Sequence, residues 1–258
     1  MADVAIFGAG PNGLLAAYAV DRQGHTPVIY SNSLAPSELD STMFLARAIP
    51  GLTRDSERFT VTVSKTGDRE GYAKLLYGTA DAECSWDDLP LYLDAYPLDL
   101  TYGRLWDAYK FDVITRTITT DLAEDISERY PLTISTLPAE VLCHNGKHTF
   151  EGVCTWLMKF ERELLGRGRG LMQYNGNPVV GRWFRYSGIR SWHVYEYARH
   201  KPPGPERRGW KPISTDCDCL PKVHRVGRFA KATRGVMNHH AYEDTVAIMA
   251  AVGLGRSV

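Results

Sequence analysis

Residues 4–30, VAIFGAGPNGLLAAYAVDRQGHTPVIY, decide the reading of this chain: an apolar run, a glycine-rich turn, a helical stretch and a second apolar run. Val4, Ala5, Ile6 and Phe7 suit a strand buried on both faces of a parallel sheet. Gly8, Gly10 and Gly13 follow at once as G-x-G-x-x-G, with Pro11 and Asn12 between the last two. The first glycine permits a tight turn, the second lets a pyrophosphate approach the backbone, and the third lets the helix pack close to the strand. Leu14 to Gln23 reads as the helix, Gly24 as its stop, and Thr26 to Tyr30 as the next strand. Unpaired N–H groups at the start of that helix favour an anion. Within this frame the three glycines predict a bound dinucleotide; the bland alternative is a glycine turn with no ligand.

The second strand says which dinucleotide to expect. An acidic residue about 20 positions after the first glycine normally holds the adenosine ribose. Here the strand ends in Ser31 and Asn32, either of which can hydrogen-bond a ribose hydroxyl, while Glu38 and Asp40 come late. No arginine follows at once to hold a 2′-phosphate, so NADP is disfavoured, and no second nicotinamide-type glycine motif is present, which disfavours a flavin–nicotinamide reductase with two Rossmann domains. The form Gly-Ala-Gly-Pro-Asn-Gly at residues 8–13 resembles FAD-binding flavoproteins. Two later stretches extend the resemblance to the amine oxidase and UDP-galactopyranose mutase superfamily. Residues 132–138, LTISTLP, resemble the strand that returns to the FAD sheet there, which implies Thr136 and Pro138 beside the cofactor. Residues 223–252 resemble the closing strand, Gly-Arg pair and last helix, which implies Gly227 and Arg228 near the pyrophosphate. By the same resemblance, Asn238, His239 and His240 stand at the start of a helix aimed at the flavin ring.

The expected fold class is therefore α/β: a Rossmann-like FAD-binding domain with an inserted, mainly antiparallel β substrate domain. The FAD-binding part is expected at 1–47, 100–143 and 220–258, and the substrate part at 48–99 and 144–219. Arg58 to Lys65 alternates as a strand, Tyr102 to Phe111 reads as a helix, and Val113-Ile114 as a strand. Leu122 to Arg129 reads as a helix, and 170–197 as antiparallel strands joined at an Asn175-Gly176 hairpin turn. Residues 80–100 read as irregular and 199–215 as a Pro- and Arg-rich connector.

At 258 residues and 44% hydrophobic content the chain is long and apolar enough to bury a core. No run approaches a membrane span and no leader precedes the first strand, so a cytoplasmic protein is expected, and five cysteines suit a reducing compartment. Net charge is zero but uneven. Residues 1–140 hold 11 Lys+Arg against 21 Asp+Glu, and residues 141–258 hold 19 against 9. A basic half suits an anionic ligand (the FAD pyrophosphate, a nucleotide or DNA), or it neutralises the acidic half internally.

The pattern Tyr174-Asn175-Gly176, Arg185, Tyr195-Glu196 resembles the substrate sheet of the galactopyranose mutases. Arg185 can hold a phosphate or carboxylate with its planar fork. Trp183, Tyr186, Trp192 and Tyr195 offer a stacking surface or, equally, core packing. Glu196, His239 and His240 complete the catalytic candidates, histidine having a pKa near physiological pH. Cys143, His148, Cys217 and Cys219 bracket the two strands expected to return to the FAD sheet. They form a candidate zinc set, with His144, Cys154 or His224 as substitutes and buried thiols as the alternative.

Small chains of this kind also resemble bacteriophage flavoproteins encoded near DNA-modification genes. That resemblance implies an oxidoreductase or lyase acting on a C–N bond of an amine-bearing, nucleotide-like substrate, such as an amino-acid-modified thymine. A redox-neutral mutase-like flavoenzyme and a non-catalytic nucleotide-binding protein are the alternatives.

Overall fold

Val4, Ala5, Ile6 and Phe7 have no solvent exposure, as a strand covered on both faces requires. The computed structural model describes residues 1–36, 44–84, 86–87, 89–161, 169–189, 192–199, 201–202 and 207–255. Glu38 and Asp40, and the side chain of Trp192, lie outside the described residues. In chain order the strands and helices are β1 (Asp3–Phe7), α1 (Pro11–Arg22), β2 (Thr26–Ser31), β3 (Phe44–Leu45), β4 (Phe59–Gly67), α2 (Arg69–Tyr77), β5 (Tyr92–Pro97) and α3 (Leu98–Tyr109). There follow β6 (Val113–Thr115), α4 (Thr120–Arg129), β7 (Leu132–Ser135), β8 (Phe150–Glu161), β9 (Arg169–Gly176), β10 (Trp183–Ile189) and β11 (Trp192–Ala198). The chain closes with β12 (Arg207–Thr215), β13 (Val223–Arg225), α5 (Arg228–Lys231) and α6 (Asn238–Ala251).

The chain divides into two compact units. One comprises 1–38, 99–151 and 212–258; the other comprises 39–98 and 152–211. The first is built on a parallel sheet in the order β13-β7-β1-β2-β6. Ala5, Phe7 and Tyr30 pack with Ile118, with Ala123 and Ile126 of α4, and with Leu142, Leu220 and Val223. Helix α1 is apolar nearly all round, and Leu14, Leu15, Ala16 and Ala17 are fully buried. Burying each of the two leucines is worth about 1.5–3 kcal/mol. Gly24, at φ +82°, follows the last turn of α1 in the left-handed conformation. Thr119 caps α4, its hydroxyl accepting the Leu122 N–H at 3.4 Å.

The second unit carries a sheet in the order β12-β8-β11-β10-β9-β4-β5-β3. The pairs β8–β11, β11–β10, β10–β9, β4–β5 and β5–β3 are antiparallel, and β4–β9 is parallel. The fold is thus the expected α/β class, a Rossmann-like parallel sheet with a mainly antiparallel β insert.

Three local readings are corrected. The stretch 80–100 contains β5 and the start of α3. Its alternation is masked in the sequence because Tyr92 is exposed and Asp94 is held by Arg58 at the surface. Residues 207–215 of the supposed connector form β12. Asn175 and Gly176 end β9, in register with Thr66 and Gly67 of β4, and are not a hairpin turn. The Asn175 amide instead donates to the Gly181 and Trp183 carbonyls at 3.0 and 2.9 Å, closing the longer 177–182 link. Among the described residues no helix is long and apolar enough to cross a membrane.

Candidate functional site

Because its five strands are all parallel, the first unit brings their C-terminal ends to one edge. Gly8 follows β1, Ser31 ends β2, Thr136 follows β7, and Val226-Gly227 follow β13. Strand β1 has β2 on one side and β7 on the other, so the chain's order reverses at the end of β1. Ligands of open α/β sheets lie in the crevice at such a point. An open cavity of about 350 Å³ lined by Glu128, Thr133, Lys222 and His224 lies at the opposite end of the strands and is no part of this edge.

The glycine turn is tightly built. Gly8 has φ +103°, and a Cβ there would lie 2.6 Å from Thr136 Oγ1. A Cβ on Gly13 would lie 1.8 Å from the Gly8 carbonyl oxygen, so α1 sits directly on the turn. The Gly8 N–H donates to the Tyr30 carbonyl at 2.8 Å. The Phe7 carbonyl accepts both the Thr136 N–H and its hydroxyl, each at 2.9 Å. Tyr102 of α3 donates to the Ala9 carbonyl at 3.1 Å. Helix α1 starts at Pro11 with Gly10 as its cap, without a capping side chain or an acidic residue in its first turn. Its positive end is therefore left for a ligand.

Asn12 extends from this turn to the Gly227 turn. A Cβ on Gly227, at φ +83°, would lie 2.5 Å from Asn12 Nδ2. The Asn12 Oδ1 is buried and has no hydrogen-bond partner. A buried polar atom of that kind marks a missing donor.

The other residues singled out in the sequence are placed as follows. The Ser31 hydroxyl accepts the Ser33 N–H at 3.3 Å, and Asn32 is exposed. Pro138 precedes a short 3-10 turn (Ala139–Leu142). Arg228 opens α5, and Asn238 is the first residue of α6, whose N-cap is Met237. His240 Nδ1 accepts the Met237 N–H at 3.0 Å and so closes the first turn of α6. His239 is buried, its ring 4.2 Å from that of His240.

Arg185 and Glu196 belong to the second unit, facing each other across the β10–β11 ladder. Glu196 is fully buried; its Oε1 accepts Arg185 Nε at 2.7 Å, and its Oε2 pairs with Lys211 of β12. Burial opposes its ionisation, but Arg185 and Lys211 outweigh that and hold the carboxyl below the usual range. The fork of Arg185 is thus committed to Glu196. The Tyr186 and Tyr195 rings lie 4.8 Å apart, tilted by 42°, and Trp183 lies 5.5 Å from Tyr195. Tyr186 is buried and bonded to His193, so it packs rather than faces a ligand.

Cys143, His148, Cys217 and Cys219 do converge, all within the first unit. His144, Cys154 and His224 lie outside that group. Burial opposes ionisation of Cys217, but Arg225 brings its thiol down to about 7. Tyr102, Lys211 and Arg225 escape a reading of the sequence, since each acts through a partner outside its own strand or helix.

No protein-family model matches the chain, and no curated protein is similar to it in sequence. Solved structures do match its fold. The tetrameric 2-methyl-3-hydroxypyridine-5-carboxylic acid oxygenase aligns with a TM-score of 0.53 at 11% identity, over 98% of this chain and 82% of that one. A single-residue variant of Klebsiella pneumoniae HpxO, complexed with FAD, aligns at 0.52 and 12%, over 100% and 83%. Aklavinone-11 hydroxylase, in a ternary complex with FAD and aklavinone, aligns at 0.56 and 11%, over 98% and 62%. The chain has the fold of these three proteins, two of which are FAD complexes.

Proposed function

We propose that this chain is an FAD-dependent oxidoreductase. The observation that carries the reading is the glycine turn at the sheet's switch point, with an uncapped helix start and the buried, unpartnered Asn12 Oδ1 beside it. These residues fit an FAD diphosphate with its neighbouring hydroxyls: backbone N–H groups of Gly10, Asn12 and Gly13 for the anion, no side chain on Gly8 or Gly13 to fill the space, and the Asn12 amide oxygen to accept from a cofactor hydroxyl. Gly227 and Arg228 would close over the same group, and Ser31 or Asn32 would meet the adenosine ribose. FAD, when bound, supplies hydride or electron transfer. The chain's part is to hold it, with α6 presenting its N-terminus, His239 and His240 as in the resemblance to flavoproteins.

The neighbours' names support hydroxylation of a small molecule. The basic character of 141–258 and the neighbouring Trp183 and Tyr195 rings support a narrower second reading. It is oxidation of a C–N bond in an amine-bearing, nucleotide-like substrate, with an amino-acid-modified thymine in DNA among the candidates. In that reading the positive charge left over from Arg185 and Lys211 against Glu196 attracts the substrate's anionic group. Anaerobic mixing of the FAD-loaded protein separates the two. Bleaching by an amine alone supports C–N oxidation; bleaching only by a nicotinamide reductant supports hydroxylation. If neither bleaches the flavin and the protein acts only after chemical reduction, it is a redox-neutral mutase-type enzyme. Binding to DNA should weaken steeply with salt, and a flat response would exclude it.

A further inference from the structure

Three thiols and one imidazole meet outside the glycine edge, drawn from two loops of the first unit. Cys143 and His148 both lie in the link between β7 and β8, and Cys217 and Cys219 lie between β12 and β13. Cys143 Sγ lies 3.4 Å from His148 Nδ1 and 4.0 Å from Cys219 Sγ, and Cys219 Sγ lies 3.5 Å from the same nitrogen. All four ligand atoms lie within 4.8 Å of one another. A tetrahedral zinc ion with Zn–S of about 2.3 Å and Zn–N of about 2.0–2.1 Å has S–S edges of about 3.8 Å and S–N edges of about 3.6 Å. The three separations among Cys143, His148 and Cys219 are those edges to within a few tenths of an ångström, and the Cys217 thiol lies within 4.8 Å of all three.

The surroundings fit an ion better than ordinary buried thiols, which sit among apolar groups. His148 turns its Nε2 towards Asp218 Oδ1 at 3.5 Å, the carboxylate–histidine arrangement that fixes a ligating tautomer. Arg225 donates to Cys217 Sγ at 3.1 Å and to the Cys217 carbonyl at 2.8 Å. Three thiolates with one divalent cation leave a single negative charge, which this arginine offsets. Cys217 and Cys219 are buried and His148 is 16% exposed, so the set is closed, as in structural rather than catalytic zinc sites.

We infer that Cys143, His148, Cys217 and Cys219 form a structural zinc site of Cys₃His type. It clips together the segments by which the chain leaves this unit after Glu151 and re-enters it at Pro212. Those segments are already joined there: the Thr149 N–H donates to Asp216 at 2.7 Å, and the Thr215 hydroxyl donates to the Thr149 carbonyl at 2.8 Å. Soft thiolates with one imidazole select zinc over magnesium or calcium.

The test is the metal content of the full chain, purified without a polyhistidine tag from zinc-supplemented culture. About one zinc per chain that survives dialysis is expected, and less than about 0.2 overturns the site. Cobalt exchanged for zinc should give intense visible bands and sulfur-to-metal charge transfer, the mark of tetrahedral thiolate coordination. Weak octahedral bands would overturn it. Cys219→Ser should lose the metal while Cys154→Ser and Cys84→Ser retain it; equal zinc in all three would refute the ligand set. FAD content, measured on the same samples, reports on the cofactor reading separately.

Discussion

Replacing Glu196 with glutamine tests the energetics of the second unit directly. The substitution keeps the side chain's shape and removes its charge. It leaves Arg185 and Lys211 facing each other with no counter-charge, with an amide N–H₂ that cannot accept from either. Breaking a buried pair by removing one partner costs about 3–5 kcal/mol. Arg185 and Lys211 keep 19% and 14% side-chain exposure, so water relieves part of the cost and the lower figure of about 3 kcal/mol applies. At about 2–4 °C per kcal/mol for a chain of this size, Tm should fall by about 6–12 °C. Lys211→Met leaves the Arg185–Glu196 pair intact and should cost less. In the Glu196→Gln background it should recover part of the loss, a coupling of about 1 kcal/mol or more. Thermal unfolding followed by far-UV circular dichroism reads all three variants. A Tm drop of under about 2 °C for Glu196→Gln would show that the carboxylate does not balance buried charge.

The same group sets an acid limit. Its folded pKa lies below the unfolded value of about 4.3, so its stabilisation is complete above that value and is lost as pH falls through the folded pKa. The Tm gap between the parent protein and Glu196→Gln should therefore narrow below about pH 4, and a constant gap down to about pH 3 would contradict this sign. Gly13→Ala places a methyl carbon 1.8 Å from the Gly8 carbonyl oxygen, so the start of α1 must move. A cost of about 1–3 kcal/mol in stability and at least about tenfold weaker FAD retention are expected by fluorescence titration; unchanged affinity would detach the glycine turn from the cofactor.

How legible the molecule was depended on the range of its interactions. The run from Val4 to Tyr30 declares itself because strand, turn and helix are each coded within a few residues. Gly8 and Gly13 occupy the positions where a side chain has no room. The strand 132–135 and the helix 238–251 were legible for the same reason. Strand β5 was not, because its register is set by β4 and its exposed Tyr92 and paired Asp94 hide the alternation. Strand β12 was hidden by the prolines and arginines around it. Asn175-Gly176 has turn composition, yet cross-strand pairing with Thr66 and Gly67 keeps it extended. At the site, the sequence singled out Arg185 as a substrate anchor and Glu196 as a catalytic candidate, not as partners of each other, and Lys211, the second cation on that carboxylate, comes from β12 and left no local signal.

The central claim, a flavin held at the β1 turn, is most directly tested by the absorbance spectrum of the purified full chain and chromatography of what heat releases from it. The account predicts a yellow protein with about one FAD per chain, reduced to a small fraction of that in Gly13→Ala. A colourless protein that takes up no added FAD would contradict it, and would leave the glycine turn as a binding site for another nucleotide or for none.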